Sequence, residues 1–205
     1  MNAIGNFHKN RIHTARSLRI GTRLAGIIPH NAGILDVGCG DGLVSSIIMK
    51  QRPDISIRGI DISTENPCLI PVEKFDGINI PFQTGKTEIV LIVDVLHHLD
   101  NPQHLLSEAA RIASGAVMIK DHVCDRFLGS NILSFMDWVG NSYLKVNLPY
   151  NYWKKQKWLE TFADMGFKEE DIDWIDDITL YPHPFEWFFG KSLNFICTLN
   201  IRKTS

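Results

Sequence analysis

Apolar residues near the start of the chain recur at helical spacing. Ile20, Leu24, Ile27 and Ile28 fall at i, i+4, i+7 and i+8, on one face of a helix. Pro29-His30-Asn31-Ala32-Gly33 ends it. The compact run Ile34-Leu35-Asp36-Val37 then leads into Gly38-Cys39-Gly40-Asp41-Gly42, and Leu43 to Met49 continues at helical length before Pro53. That pattern is strand, tight turn, helix. A second strand spans Ser56 to Asp61, whereas Pro67, Pro71 and Gly77 leave residues 62–80 too broken for a long crossover helix. Ile89-Val90-Leu91-Ile92-Val93, closed by Asp94, is β-branched and apolar on both faces, as a central parallel strand requires. Helical spacing returns at Leu106, Ala109, Ala110 and Ala113, and Ala116 to Lys120 is a further strand.

From 121 to 153 the periodicity loosens and Asn, Gly and aromatic residues accumulate. Trp158, Phe162 and Met165 restore a helix that Gly166 can stop, and two late strands, about 172–180 and 195–201, flank Pro182-His183-Pro184. Strands alternating with helices predict an α/β fold: a Rossmann-like, mostly parallel seven-stranded sheet with helices on both faces and an antiparallel last strand. With no repeat, low-complexity tract or linker, the 205 residues read as one domain.

Composition narrows the function. A formal net charge of -2 gives no electrostatic reason to expect nucleic acid as a partner. No apolar run reaches the roughly 20 residues of a membrane-spanning helix, and the polar, basic start MNAIGNFHKNRIH lacks the apolar segment of a secretory signal. The four cysteines, 39, 68, 124 and 197, are far apart and form no CxxC pair, which argues against zinc and for a reducing, cytoplasmic setting.

In open α/β sheets, ligands bind at the carboxyl ends of the strands. The glycines at 38–42 let the backbone turn sharply and approach a ligand, and the helix behind them offers free N–H groups to an anion. Asp61 stands 23 residues after Gly38 at the end of the next strand, where a carboxylate can accept two hydrogen bonds from a ribose diol. Read locally, the turn is also an ordinary βα connection and Asp61 also a helix cap beside Ser63 and Thr64. Together, at this spacing, they point to a nucleoside.

The segments ILDVGCGDG at 34–42, GID at 59–61, FDGINIPF at 75–82 and DVLHHLDNPQHLLSEAARI at 94–112 resemble the class I S-adenosylmethionine-dependent methyltransferases, in the small-molecule branch that includes ubiquinone and menaquinone methyltransferases. The likeness covers roughly 34–120 well. It implies S-adenosyl-L-methionine as cofactor and S-adenosyl-L-homocysteine as product. Gly38, Cys39 and Gly40 would pass beneath the methionine part, with Asp36 supporting the loop. Asp61 and Ile62 would meet the nucleoside, and Asp76 with Gly77 would form the adenine wall. Asp94 and His97 would border the reacting methyl. Only 15 residues separate Asp61 from Asp76, so the usual helix there must be shortened or lost.

His98, the second of the pair His97-His98, and the neighbours Asp121-His122 are the candidate catalytic residues. His122 would act as general base with Asp121 as its orienter, and His98 is the other candidate base. Each also has a bland reading, as a packed imidazole or a polar turn. Residues 123–153 are longer than a connection should be and are expected to form a substrate cap. Phe127, Phe135, Trp138, Tyr143, Tyr150, Tyr152 and Trp153 would line its pocket or pack as core of extra helices. Phe185, Trp187, Phe188 and Phe189 would either touch a lipid-like substrate or membrane, or sit buried between the late strands. The expected reaction is methyl transfer to a small-molecule acceptor, lipid-like or hydroxylated. A non-catalytic cofactor-binding protein is the alternative, and a nicotinamide oxidoreductase, which lacks its third glycine here, the remote one.

Overall fold

The computed structural model describes residues 13–64, 67–141, 151–176, 178–181, 183, 186, 187 and 192–202, with backbone alone at 136–141. The elements are α1 (Thr14–Ala25), β1 (Gly33–Val37), α2 (Leu43–Gln51), β2 (Ser56–Asp61), β3 (Val72–Lys74) and β4 (Thr87–Val93). After a short 3-10 turn at Leu96–His98 come α3 (Pro102–Ile112), β5 (Ala113–His122), α4 (Gly129–Asn141), α5 (Lys155–Asp164), β6 (Ile172–Ile175) and β7 (Asn194–Asn200).

The strands form one seven-stranded sheet in the order β3-β2-β1-β4-β5-β7-β6. All pairs from β3 to β5 are parallel, and β7 runs antiparallel to both β5 and β6. Strand order reverses between β1 and β4, so a crevice opens where both strands end. Alternation along each strand divides the core in two. Leu35, Val37, Val90, Ile92, Val117 and Ile119 face α3 and α5. Ile34, Ile89, Leu91 and Met118 face Ile20 and Leu24 of α1 and Ile48 of α2. No helix of the described residues is long and apolar enough to cross a membrane.

Several boundaries differ from the expected ones. The regular part of α1 ends at Ala25, and Ile28 stays buried because its N–H still reaches the Leu24 carbonyl, 3.0 Å away. Ala113 opens β5 instead of closing α3, because its backbone is already extended (φ -70°, ψ 138°). The broken stretch after β2 contains a three-residue strand, β3, whose edge position tolerates the prolines around it. β6 stops at Ile175, well short of 180. Asn101 starts α3 by accepting from the His104 N–H at 3.2 Å, with Pro102 in the first turn.

Candidate active site

The glycine turn is tied to the end of β2. The Gly38 N–H donates to the Ile60 carbonyl (2.8 Å), and the Gly40 N–H donates to Asp61 Oδ2 (2.8 Å). Gly38 has a φ of 75°, and a Cβ there would stand 2.5 Å from Val95 Cγ2. Gly40 also has positive φ, yet a Cβ there would meet nothing within 4 Å. The turn is therefore closed beneath and open at Gly40, a cradle for a ligand lying on bare backbone.

Carboxylates flank that opening. Asp36 is 3% exposed; Ser45 donates to its Oδ2 at 2.6 Å, and its Oδ1 has no protein partner among the described residues. Burial raises this carboxyl to about 7, against the Ser45 hydrogen bond and with help from the charge of Asp61. Asp61 accepts from Gly40 on one oxygen and from the Ser63 N–H (2.9 Å) on the other. Each oxygen keeps a second lone pair for a hydroxyl donor. The opening at Gly40, the orphaned Asp36 oxygen and the spare capacity of Asp61 fit the nucleoside and amino-acid ends of S-adenosylmethionine.

Asp76 is drawn into its own turn. It accepts from the N–H groups of Ile78 and Asn79, both at 2.7 Å, and from Asn79 Nδ2 at 3.1 Å. These backbone donors hold its carboxyl below the ordinary range. Gly77 adjoins Ile62: a Cβ on the glycine would lie 2.8 Å from Ile62 Cγ2. Ile62 is 62% exposed, an apolar face left open beside Asp61.

Across the crevice, Asp94 leaves β4 with a left-handed φ of 55°. Arg16 of α1 pairs with its Oδ2 at 2.8 Å, and the fully buried Lys120 forms an ion pair with its Oδ1. Lys120 also donates to Asn194 Oδ1 at 2.9 Å. Burial alone would push the Asp94 carboxyl up, but Arg16 and Lys120 hold it well below the ordinary range. Burial, then repulsion by Arg16, lowers Lys120 to about 8 despite Asp94. Neither Arg16 nor Lys120 was expected at the site. Arg16 carries no spacing signal, whereas a lysine closing an apolar strand run was the clue to the other.

The expected pairing of Asp121 with the His122 ring is corrected. Asp121 turns to His97 rather than to the His122 ring, which itself stands edge-on to the His97 ring with centroids 4.9 Å apart. Asp121 accepts the His122 backbone N–H (2.7 Å), and its carboxylate is hydrogen-bonded at 2.6 Å to Nδ1 of His97. Its second oxygen accepts the Leu96 N–H at 3.0 Å. His122 instead places Nδ1 3.1 Å from the Leu193 carbonyl and Nε2 3.5 Å from Asp94 Oδ1. Burial and the neighbouring Lys120 push its imidazole well below the ordinary value. The His98 ring lies 3.9 Å from that of His97, tilted by 49°.

The long connection after β5 begins with Phe127, 87% exposed, and continues as α4, where Phe135 is also exposed. Trp138, Tyr143 and Tyr150 lie outside the residues whose side chains are described, as do Phe185, Phe188 and Phe189. Its return comes back to the site. The Asn151 N–H donates to the His97 carbonyl and its side-chain amide to that of Leu99, both at 3.2 Å. The Tyr152 ring stacks on His97, centroids 5.6 Å apart, and Trp153 packs against the core. Trp187 is exposed, and its carbonyl accepts from Arg126 at 3.3 Å.

Residues 7–171 match the family described as a methyltransferase domain. Over 109 residues the chain is 29% identical to the 27-O-demethylrifamycin SV methyltransferase of Amycolatopsis mediterranei, covering 46% of this chain and 40% of that one. The chain spans less than half the length of the curated relatives it matches. Among solved structures, a possible histamine N-methyltransferase from Thermotoga maritima superposes with a TM-score of 0.66 at 18% identity over 96% of both chains. The plantazolicin methyltransferase, solved with SAH (S-adenosylhomocysteine), gives 0.65 at 19% identity over 96% of this chain and 88% of that one. With the glycine cradle, the two carboxylates beside it and this sheet order, the chain belongs to the class I, S-adenosylmethionine-dependent methyltransferase family.

Proposed function

We propose that the protein transfers a methyl group to a hydroxyl of a small-molecule acceptor, with His97, oriented by Asp121, removing the hydroxyl proton. The observation that carries this reading is the 2.6 Å contact between His97 Nδ1 and the fully buried Asp121 carboxylate. A carboxylate only accepts, so in the neutral ring Nδ1 carries the proton and Nε2 keeps the lone pair a base needs. Asp121 also stabilises the imidazolium that forms. An amine acceptor with a free lone pair would need no such dyad. The relatives divide between oxygen acceptors, in the 27-O-demethylrifamycin SV and ubiquinone O-methyltransferases, and nitrogen acceptors, in the ajmaline and norajmaline N-methyltransferases, so the dyad alone carries the choice of oxygen.

Bound S-adenosylmethionine supplies an electrophilic methyl on a cationic sulfur. Gly38, Cys39 and Gly40 would carry its methionine part over Asp36, with Asp94 closing the far side. Asp61 would take the ribose, and Ile62, Gly77 and Asp76 the adenine. Alignment of this kind is worth about 7–11 kcal/mol in favourable systems, so the protein's main task is approach geometry. Residues 123–153 would cap the acceptor within this single domain, since their return segment packs directly on His97.

Turnover with isotopically labelled cofactor and a metabolite extract tests the activity, and label retained only as bound cofactor would leave a binding protein. With the acceptor in hand, His97→Ala should lower turnover about 10²–10⁴-fold at saturating cofactor, as loss of a general base does. His122→Ala should stay within a few-fold. The reverse order would return the base to His122.

A further inference from the structure

Cys39 lies in the glycine turn and Cys68 in the stretch between β2 and β3, and both are half-buried. Their thiols converge on one oxygen: the Gly40 carbonyl is 3.8 Å from Cys39 Sγ and 4.0 Å from Cys68 Sγ. The stretch carrying Cys68 is docked on the turn immediately beyond it. The Leu69 N–H donates to the Asp41 carbonyl (2.8 Å), and the Ile70 side chain fills the space where a Cβ on Gly42 would stand, 2.5 Å from Ile70 Cγ1. The Gly59 N–H then ties Pro71 to β2 at 2.8 Å. Cys39 is seated from the other side, its sulfur where a Cβ on Gly59 would collide. Methyl transfer, as read above, uses neither thiol.

We propose that Cys39 and Cys68 form a peroxide-driven disulfide that switches off cofactor binding, an inference that rests on the glycine turn holding S-adenosylmethionine. Peroxide oxidises the Cys68 thiol to a sulfenic acid and is reduced to water. The Cys39 sulfur then attacks the Cys68 sulfur, forming the S–S bond and releasing a second water with the Cys39 proton. Burial, then the charges of Asp36, Asp61 and Cys68, push the Cys39 thiol up, so Cys68 reacts first. A dithiol reduces the bond by attack on either sulfur and restores both thiols. In the proposed bond the Cys39 sulfur is drawn from its seat on Gly59 toward Cys68. That moves the turn whose Gly40 N–H is bonded to Asp61, the same turn on which the cofactor would lie.

The test treats the folded chain with hydrogen peroxide, maps linked peptides by mass spectrometry, and titrates S-adenosylhomocysteine by calorimetry before oxidation, after it, and after dithiothreitol. A 39–68 linked peptide should appear while affinity falls by about tenfold or more, the scale of one lost hydrogen bond to a charged group, and returns on reduction. Cys68→Ser should bind as the reduced parent does and keep its affinity in peroxide. Absence of the linked peptide, a linked protein with unchanged affinity, or a Cys68→Ser variant as peroxide-sensitive as the parent would each overturn the proposal. An untreated parent that does not bind S-adenosylhomocysteine would instead overturn the cofactor reading, before any peroxide is added.

Discussion

At the scale of single residues, the buried carboxyl of Asp36 makes stability depend on pH. Its carboxyl is raised from 3.8 to about 7 chiefly by burial. Between those values the folded chain holds a proton that the unfolded chain has lost. Stability therefore falls as pH rises through that window and levels off above it. Holding the proton that much more tightly corresponds to about 4 kcal/mol at most, withdrawn once the buried group ionises. Asp36→Asn should raise the melting temperature at pH 8 and change it little at pH 4; equal shifts at both would place the cost elsewhere. Asp61 carries the opposite expectation. Its carboxylate is already bonded to Gly40 and Ser63, so it is pre-aimed rather than strained. Asp61→Ala should weaken S-adenosylhomocysteine binding by about tenfold or more, as loss of charge-assisted bonds worth about 1.5–3 kcal/mol implies. Unchanged affinity in a folded variant would sink the ribose assignment.

At the scale of elements, one acidic side chain joins α1, β4 and β5. Asp94 pairs with Arg16 from the helix and Lys120 from the neighbouring strand, and Lys120 is fully buried. Removing the shared anion strands the fully buried Lys120 beside Arg16, and breaking a buried pair typically costs about 3–5 kcal/mol. Replacing Lys120 by an apolar residue of similar length leaves Asp94 still paired with Arg16. Denaturant unfolding should thus find Asp94→Asn far more destabilising than Lys120→Met, and comparable losses would mean that the network does not share its charge as the geometry implies. This is also where the sequence stopped being readable. Period and punctuation place six of the seven strands, the glycine turn and Asp61, because those signals are local; β3, three residues among prolines, gives none. Adjacency in sequence pairs Asp121 with His122, but in the fold Asp121 bonds His97, and the His122 ring adjoins both His97, centroids 4.9 Å apart, and Asp94. Arg16 lay beyond any local signal: its partner is 78 positions away, and only the packing of α1 against the sheet brings the two together.

At the scale of the whole molecule, the reversal of strand order separates two tasks. The ends of β1 and β2 carry the glycine turn and Asp61, while the ends of β4 and β5 carry Asp94, His97 and Asp121. Among the described residues, the return of the long connection after β5 meets the second set, through Asn151 at the His97 carbonyl and Tyr152 on the His97 ring. An element anchored there can shape the acceptor side without touching the cofactor cradle. Replacing residues 127–150 by a short Gly/Ser linker, with Tyr152 and Trp153 retained, should therefore leave S-adenosylhomocysteine affinity within a few-fold of the parent. Turnover of the native acceptor should fall by orders of magnitude, because substrate positioning accounts for much of the rate in a displacement of this kind. The melting temperature decides how a loss is read, since Leu133 of α4 is buried and its removal carries a packing cost of its own. A folded linker variant that methylates at the parental rate rules out the cap. One that also loses the cofactor shows that the connection braces the whole crevice rather than the acceptor side alone.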